Sequence, residues 1–343
     1  MDEGAFLGTV VKVRSLTALA LACALSLSLA ACGVDVDALL APTAKSDNEV
    51  LEGNGVVVIA PGDSGQAIAR KLEEAGVTRA DHYSFLAQRD PEAVYVQPGT
   101  YRLDTNISAE VALDQLISGQ FKDPGLVIPE GLQAQEVYAL VAERLGVSED
   151  SVTAAALKME QRTGSLEGYL FPATYDIDGL DPDQALRLMR DRADDYLTRL
   201  QGTAEERGLT VHELVTLASI LQVEVAPRDY TKASRVIYNR LAQGRELQLD
   251  STINYATGQS TVKPTTEDLS IDSPYNTYRY AGLPPGPISN PGAAALRAAL
   301  KPEAGDWLYW VTVNLDTQQT KFAVTDEEFF KYKREFDNWL AAQ

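Results

Sequence analysis

The chain has 343 residues, 45% hydrophobic and 23% charged, with a formal net charge of −19. That is ordinary globular composition and sets aside collagenous, disordered and polytopic membrane classes. So acidic a chain also argues against nucleic acid as a partner, because phosphate contacts need a basic face. The only two cysteines, Cys23 and Cys32, lie in an N-terminal apolar segment, which leaves no disulfide framework or thiolate zinc site beyond it. The two histidines, His82 and His212, sit beside no nucleophile motif of the G-x-S-x-G kind.

At the N-terminus, Lys12 and Arg14 precede an apolar run from Leu16 to Ala31. This is the charged and hydrophobic pattern of an export signal. The run is slightly short of the ~20 residues a comfortable membrane span needs. It ends in Leu29-Ala30-Ala31-Cys32-Gly33, which resembles the lipobox of bacterial lipoproteins, where the cysteine is lipidated and becomes the new N-terminus. An uncleaved signal anchor is the alternative. Both readings of residues 1–33 place the rest of the chain outside the cytoplasm, held near the membrane. The polar stretch 34–55 then reads as a tether.

The folded part opens with the β-branched run Val56–Ile59 and the turn Pro61-Gly62-Asp63. Ser64 caps a predicted helix from Gly65 to Ala75, stopped by Gly76. Tyr95 to Leu103 reads as extended with a turn in it, and Ala109 to Ser118 as a second helix. Leu126-Val127-Ile128-Pro129-Glu130-Gly131 repeats the strand-then-turn pattern, and Gln135 to Leu145 is helical again. Beyond it the chain is richer in helix, at Pro182–Gln201, Val211–Val225 and Ser234–Gln243. The stretch Asp250 to Gly292 is polar and rich in Pro and Gly. A loop of that length in a compact domain is usually functional, and its tyrosines 255, 275, 278 and 280 argue against disorder. Trp307 to Val313 is the clearest strand, and Asp326 to Leu340 closes the chain as a helix.

The segment Leu214 to Val225 is apolar nearly all round, so its helix should be buried. It carries one carboxylate near its end, Glu224. Leu217, Ile220 and Leu221 lie beside it on the helix surface, at i−7, i−4 and i−3. Such neighbours raise a carboxyl pKa by desolvation, and a Glu protonated near neutral pH is what a general acid must be. From the helix alone, a Glu pairing with Arg228 or Arg235 is the simpler expectation. Gln222, two residues away and thus about 200° round the helix, is not expected to share a cleft with Glu224.

Five ordered motifs now carry a resemblance. They are Glu167-Gly168-Tyr169-Leu170-Phe171-Pro172-Ala173-Thr174-Tyr175, Ala218-Ser219-Ile220-Leu221-Gln222-Val223-Glu224, Arg235-Val236-Ile237-Tyr238-Asn239-Arg240-Leu241, Leu247-Gln248-Leu249-Asp250-Ser251-Thr252, and Ser273-Pro274-Tyr275-Asn276-Thr277-Tyr278 with the following Gly282-Leu283-Pro284-Pro285-Gly286-Pro287-Ile288-Ser289-Asn290-Pro291-Gly292. From Leu166 onward the chain resembles the YceG-like endolytic murein transglycosylases, and the region from about Val56 is similar to that family's LysM-like subdomain. The fold implied is α+β: a small LysM-like α/β module over 56–125, then a mixed, helix-rich catalytic domain over 126–343, behind the N-terminal membrane anchor. The family's helix usually reads Ala-Ser-Ile-Val-Glu-x-Glu, and this chain has Gln222 at the first acidic position.

The resemblance implies that Glu224 is catalytic and that no metal or cofactor is needed. In a lytic transglycosylase the MurNAc 6-hydroxyl replaces water as nucleophile, so one carboxyl suffices where hydrolysis generally needs two. The substrate implied is the peptidoglycan glycan strand, and the role implied is termination of nascent strands beside cell-wall synthases. Gln248, Asp250, Tyr275, Asn276, Tyr278 and Asn239 are the candidate substrate-binding residues. Asp250 as a second carboxylate keeps hydrolysis open. Asn276 could equally turn the chain, and Tyr278 could be core. A non-catalytic peptidoglycan-binding scaffold is the remaining rival, given some weight by Gln222.

Overall fold

The computed structural model describes residues 50–342. The signal or lipobox segment 1–33 and most of the expected tether lie outside the described residues. The chain is mixed α+β and rich in helix, with three separate two-stranded antiparallel sheets among the described residues. Also among the described residues, no helix is long and apolar enough to cross a membrane.

The first unit comprises β1 (Val56–Ile59), α1 (Gly65–Glu74), α2 (Ala80–Ala87), a 3-10 turn (Pro91–Tyr95), β2 (Gly99–Arg102) and α3 (Ala109–Ser118). β1 and β2 pair in the register Val56↔Arg102 to Ile59↔Gly99. Val57, Ile59, Leu72, Tyr83, Tyr101, Leu113 and Leu116 form its core. The Ser64 and Ser108 hydroxyls accept from the backbone N–H groups of Ala67 and Val111, starting α1 and α3 as side-chain caps. The last residues of the expected tether are pinned to this unit: Leu51 exchanges two hydrogen bonds with the Asn106 side chain. The sequence does not announce α2, where Tyr83 alone is fully buried.

The second unit contains β3 (Leu126–Val127), α4 (Ala134–Leu145), α5 (Glu149–Thr163), β4 (Thr174–Tyr175) and α6 (Pro182–Thr198). β3 pairs with β4, not with the strands before it. The third comprises α7 (Gln201–Glu206), α8 (Val211–Glu224), α9 (Tyr230–Ala242), α10 (Asp250–Thr257), α11 (Ala293–Leu300), the hairpin β5 (Tyr309–Asn314) with β6 (Gln319–Ala323), and α12 (Asp326–Ala341).

α8 is the centre of the third unit. Leu214, Val215, Leu217, Ala218, Ile220 and Leu221 are all buried, so no stripe of this stretch faces water. Each large apolar side chain buried this way contributes about 1.5–3 kcal/mol. A Thr210–Glu213 capping box opens the helix. It stops at Glu224 because Val225 turns to extended backbone two residues before Pro227, where a helix cannot continue.

The glycine- and proline-rich motif after α10 is a strap tied onto α8 by polar contacts. Ser219 Oγ accepts from Ile288 N–H, and the Ser219 carbonyl accepts from the Ser289 hydroxyl. The buried Asn290 side chain accepts from Leu170 N–H at 2.8 Å and donates to Leu132 O at 2.9 Å. Gly168 is where this packing leaves no room. Its φ is +83°, and a Cβ there would lie 2.5 Å from Pro287 Cβ and 2.8 Å from Val215 Cγ1. Gly168→Ala should therefore destabilise the fold by about 2 kcal/mol or more in urea unfolding followed by circular dichroism. A loss below about 0.5 kcal/mol would contradict this packing account.

Candidate active site

Glu224 is the last residue of α8, and its half-buried carboxyl meets the N-terminus of α10. The Ser251 hydroxyl donates to Oε1 at 2.5 Å, and Ser251 N–H approaches the same oxygen at 3.4 Å. That N–H is one of the helix-start donors that has no partner within its own helix. The indole Nε1–H of Trp310, on β5, donates to Oε2 at 3.3 Å. Burial pushes the Glu224 pKa above the ordinary carboxylate range. The Ser251 and Trp310 donors oppose the rise, and the neighbouring Asp250 charge adds to it. The alternative pairings do not form. Arg228 reaches the carbonyls of Thr317 and Gln318, and Arg235 donates to Glu303 O.

Glu224 lies in the wall of a cavity of about 870 Å³. Gln248, Asp250 and Tyr278 line the same cavity. The Tyr278 hydroxyl donates to Asp250 Oδ1 at 2.5 Å, and burial followed by this bond pushes the Tyr278 pKa strongly upward. Gln248 has a φ of +54°, a strained setting for a residue with a side chain. Surrounding bonds hold it: Gln248 N–H donates to Thr277 O at 2.9 Å, and the Arg240 guanidinium donates to Leu247 O at 2.8 Å. Arg240 is itself buried over the Tyr309 ring and donates to Leu308 O, so it ties this loop to β5.

The other expected substrate residues, Asn276, Asn239 and Tyr275, are not among the residues that line this cavity. The amide Nδ2 of Asn276 donates to Leu269 O and Ile271 O, while Oδ1 accepts from Tyr278 N–H. Buried Asn276 thus fixes the turn that aims Tyr278. Asn239 Nδ2 donates to Gly305 O and Trp307 O, anchoring the approach to β5. The Tyr275 ring packs on Tyr255, with centroids 4.8 Å apart.

Gln222 departs from expectation in another way. It does contribute to the cavity wall that contains Glu224, because a wide cleft reaches more than one face of a terminal helical turn. Its side-chain oxygen is occupied, accepting from Gly292 N–H at 2.9 Å at the start of α11.

Sequence reasoning passed over four features. Ser251 and Trp310 were legible as parts of a motif and a strand, but their bonds to Glu224 are long-range. The α12 face bearing Phe329, Lys333, Phe336 and Asp337 also lines the cavity, and its spacing of 4, 3 and 1 was a helical-face signal. Fourth is Glu167, only 9% exposed. Its carboxylate accepts from Ala134 N–H at 3.1 and 3.2 Å, and the Tyr255 hydroxyl approaches it at 3.5 Å. Tyr255 lies one turn beyond Ser251, so α10 contacts the Glu167 and Glu224 carboxyls from one face.

A second cavity, of about 840 Å³, lies between β1 and residues 176–188. It is remote from the Glu224 chemistry. Its Lys71 is engaged by Asp63 and Val58 O, and its Asp178 by Arg144. No group of three or more His, Cys, Asp or Glu side chains that could hold a metal occurs among the described residues.

Fold and site together define a helix-rich α+β protein with one desolvated carboxyl at the wall of a broad cleft. The YceG-like family model matches residues 57–335, and the chain belongs to that family. An endolytic murein transglycosylase of Bacillus subtilis (strain 168) is 30% identical over 331 residues, covering 87% of this chain and 88% of that protein. An endolytic murein transglycosylase of Streptococcus pneumoniae (strain D39) is 31% identical over 316 residues, and the match spans 80% of this chain and 56% of that longer protein. The crystal structure of a YceG-like protein from Listeria monocytogenes superposes with a TM-score of 0.57 at 30% identity, covering 80% of this chain and 98% of that one.

Burial pushes the Glu167 pKa up to about 7 from 4.5. The native state therefore holds a proton that the unfolded chain releases, and stability falls as pH rises from about 4.5 through 7. The fall should amount to about 3 kcal/mol. Glu167→Gln should flatten the dependence of Tm on pH across this window. An unchanged slope in calorimetry would show that Glu167 does not titrate as described.

Proposed function

We propose that this protein is a lytic transglycosylase that cleaves the MurNAc–GlcNAc bond of nascent peptidoglycan strands and leaves 1,6-anhydroMurNAc ends. The single observation that carries this reading is the desolvated Glu224 carboxyl in the cavity wall, fixed by Ser251 and Trp310. The family membership and the activity for which the two relatives are named support the same substrate.

In the first step protonated Glu224 gives its proton to the glycosidic oxygen, and the C1–O bond breaks with oxocarbenium character. Asp250, held by the Tyr278 hydroxyl in the same cavity, is placed to favour that developing positive charge. In the second step the substrate's own C6 hydroxyl attacks C1 and returns its proton to Glu224. Water is not consumed. Keeping the nucleophile on the same sugar supplies the proximity advantage.

Asp250 also favours a second reading, hydrolysis with Asp250 guiding a water, because it lies in the same cavity as Glu224. The two products differ by one water, and mass spectrometry of the released muropeptides separates them. The N-terminal segment is proposed to hold the enzyme at the outer face of the cell membrane beside cell-wall synthases. The unit over 56–125 is proposed to act as a LysM-like module on the same strand, so that the enzyme limits glycan length.

Purified full-length protein should release anhydro-muropeptides from sacculi, and Glu224→Gln should lower the rate by about 10²–10⁴-fold while keeping the wild-type circular dichroism spectrum. Equal release by both proteins would remove Glu224 from the chemistry. Ser251→Ala deletes a donor that stabilises the carboxylate, so the Glu224 pKa rises further. The acid form then persists to higher pH, and the alkaline limb of the rate profile should move up. A limb that stays or moves down would contradict the assignment of Glu224 as the acid.

A further inference from the structure

One arm of the active cleft does not suit a sugar. The face of α12 that lines it presents Phe329, Lys333, Phe336 and Asp337, and Val262, Lys263 and Pro264 line it as well. Val262 is 58% exposed. Lys263 and Asp337 pair at 3.4 Å, an exposed bridge worth little in water and easily exchanged. Lys333 has no acidic partner among the described residues, since Asp337 one turn on is taken by Lys263 and Glu335 by Lys321. A chain of net charge −19 thus sets two lysines among apolar side chains, beside Asp337, in the cleft that holds Glu224 and Asp250.

The ring hydroxyls of a glycan strand carry no charge to answer two cations. A peptidoglycan strand carries a complement for both the cations and the apolar side chains in one place, the stem peptide on the lactyl group of each MurNAc, with free carboxylates and alanine methyl groups. We infer that the arm formed by Lys333, Phe336, Lys263 and Val262 holds the stem peptide, so that this enzyme prefers peptide-bearing strands to bare glycan. The inference rests on the lytic reading above. Carboxylates displace Asp337 from Lys263 or take Lys333 directly, and the methyl groups pack on Phe336 and Val262. Elsewhere the acidic surface repels the peptide, which favours this one seat.

The test compares full-length protein on peptide-bearing strands and on the same strands stripped of peptide by an amidase, which leaves one lactyl carboxylate on each MurNAc but removes the methyl groups and the further carboxylates. Wild type should show higher kcat/KM on the peptide-bearing strands. Lys333→Glu should lower the ratio of the two values by about tenfold, the loss expected when a charged contact becomes a repulsive one. Lys331→Glu makes the same charge change on α12 outside the cavity and should leave the ratio as in wild type. Lys333→Gln, milder at this exposed position, should shift the ratio in the same direction if the Glu variant folds poorly. A wild type without preference, or a ratio unmoved by both Lys333 variants, overturns the inference while the lytic reading stands. A wild type that cleaves neither strand defeats the lytic reading and this inference with it.

Discussion

A carboxyl group at the end of a helix buried on every side is the constraint around which this protein is built. α8 can hide its leucines, isoleucine and valine only if other elements cover all of it. That covering desolvates Glu224 at its final turn. The ionised form loses hydration there, and the C-terminal end of a helix dipole is a further unfavourable place for negative charge. Ser251 and Trp310 return part of what is lost, enough to fix the two oxygens in place. The result is a group that is oriented yet reluctant to ionise, the state a general acid needs.

Most of the polar motif residues serve that arrangement at one remove. Asn276 turns the chain so that Tyr278 reaches Asp250, and Asn239 and Arg240 hold the approach to β5 so that Trp310 reaches Glu224. Asn290 and Ser219 clamp the proline-rich strap against α8. These buried amides and hydroxyls are satisfied by backbone groups, which makes them costly to replace. Gln222 belongs with them, since its amide holds the start of α11. That bond needs only an acceptor oxygen, which the amide supplies without adding a further charge to the cleft wall.

How much of this could be read beforehand follows the range of each interaction. The caps at Ser64 and Ser108 and the burial of α8 are local patterns, visible in a few residues. Gln248, Asp250 and Tyr278 stood out through their motifs and do meet Glu224 in one cavity. α10 was hidden because only Thr252 and Ile253 are buried in its two turns, which leaves no apolar period to detect. Asn239, Tyr275 and Asn276 looked like sugar ligands because amides and tyrosines bind sugars and also tie loops. Their partners in the structure, 66, 20 and at most 7 residues away, tie loops, and only the fold supplies them. Glu167 went unnoticed for the same reason, its environment coming from Ala134 and Tyr255.

The central claim is that Glu224 holds its proton well beyond the pH at which an ordinary glutamate gives it up. Carbon-13 NMR of the side-chain carboxyls, with the Glu224 resonance identified by its loss in Glu224→Gln, measures this directly. The account predicts a Glu224 midpoint clearly above the usual value of about 4.3. A midpoint at or below that value would mean that Ser251 and Trp310 outweigh burial, and the residue could not be the acid of this site.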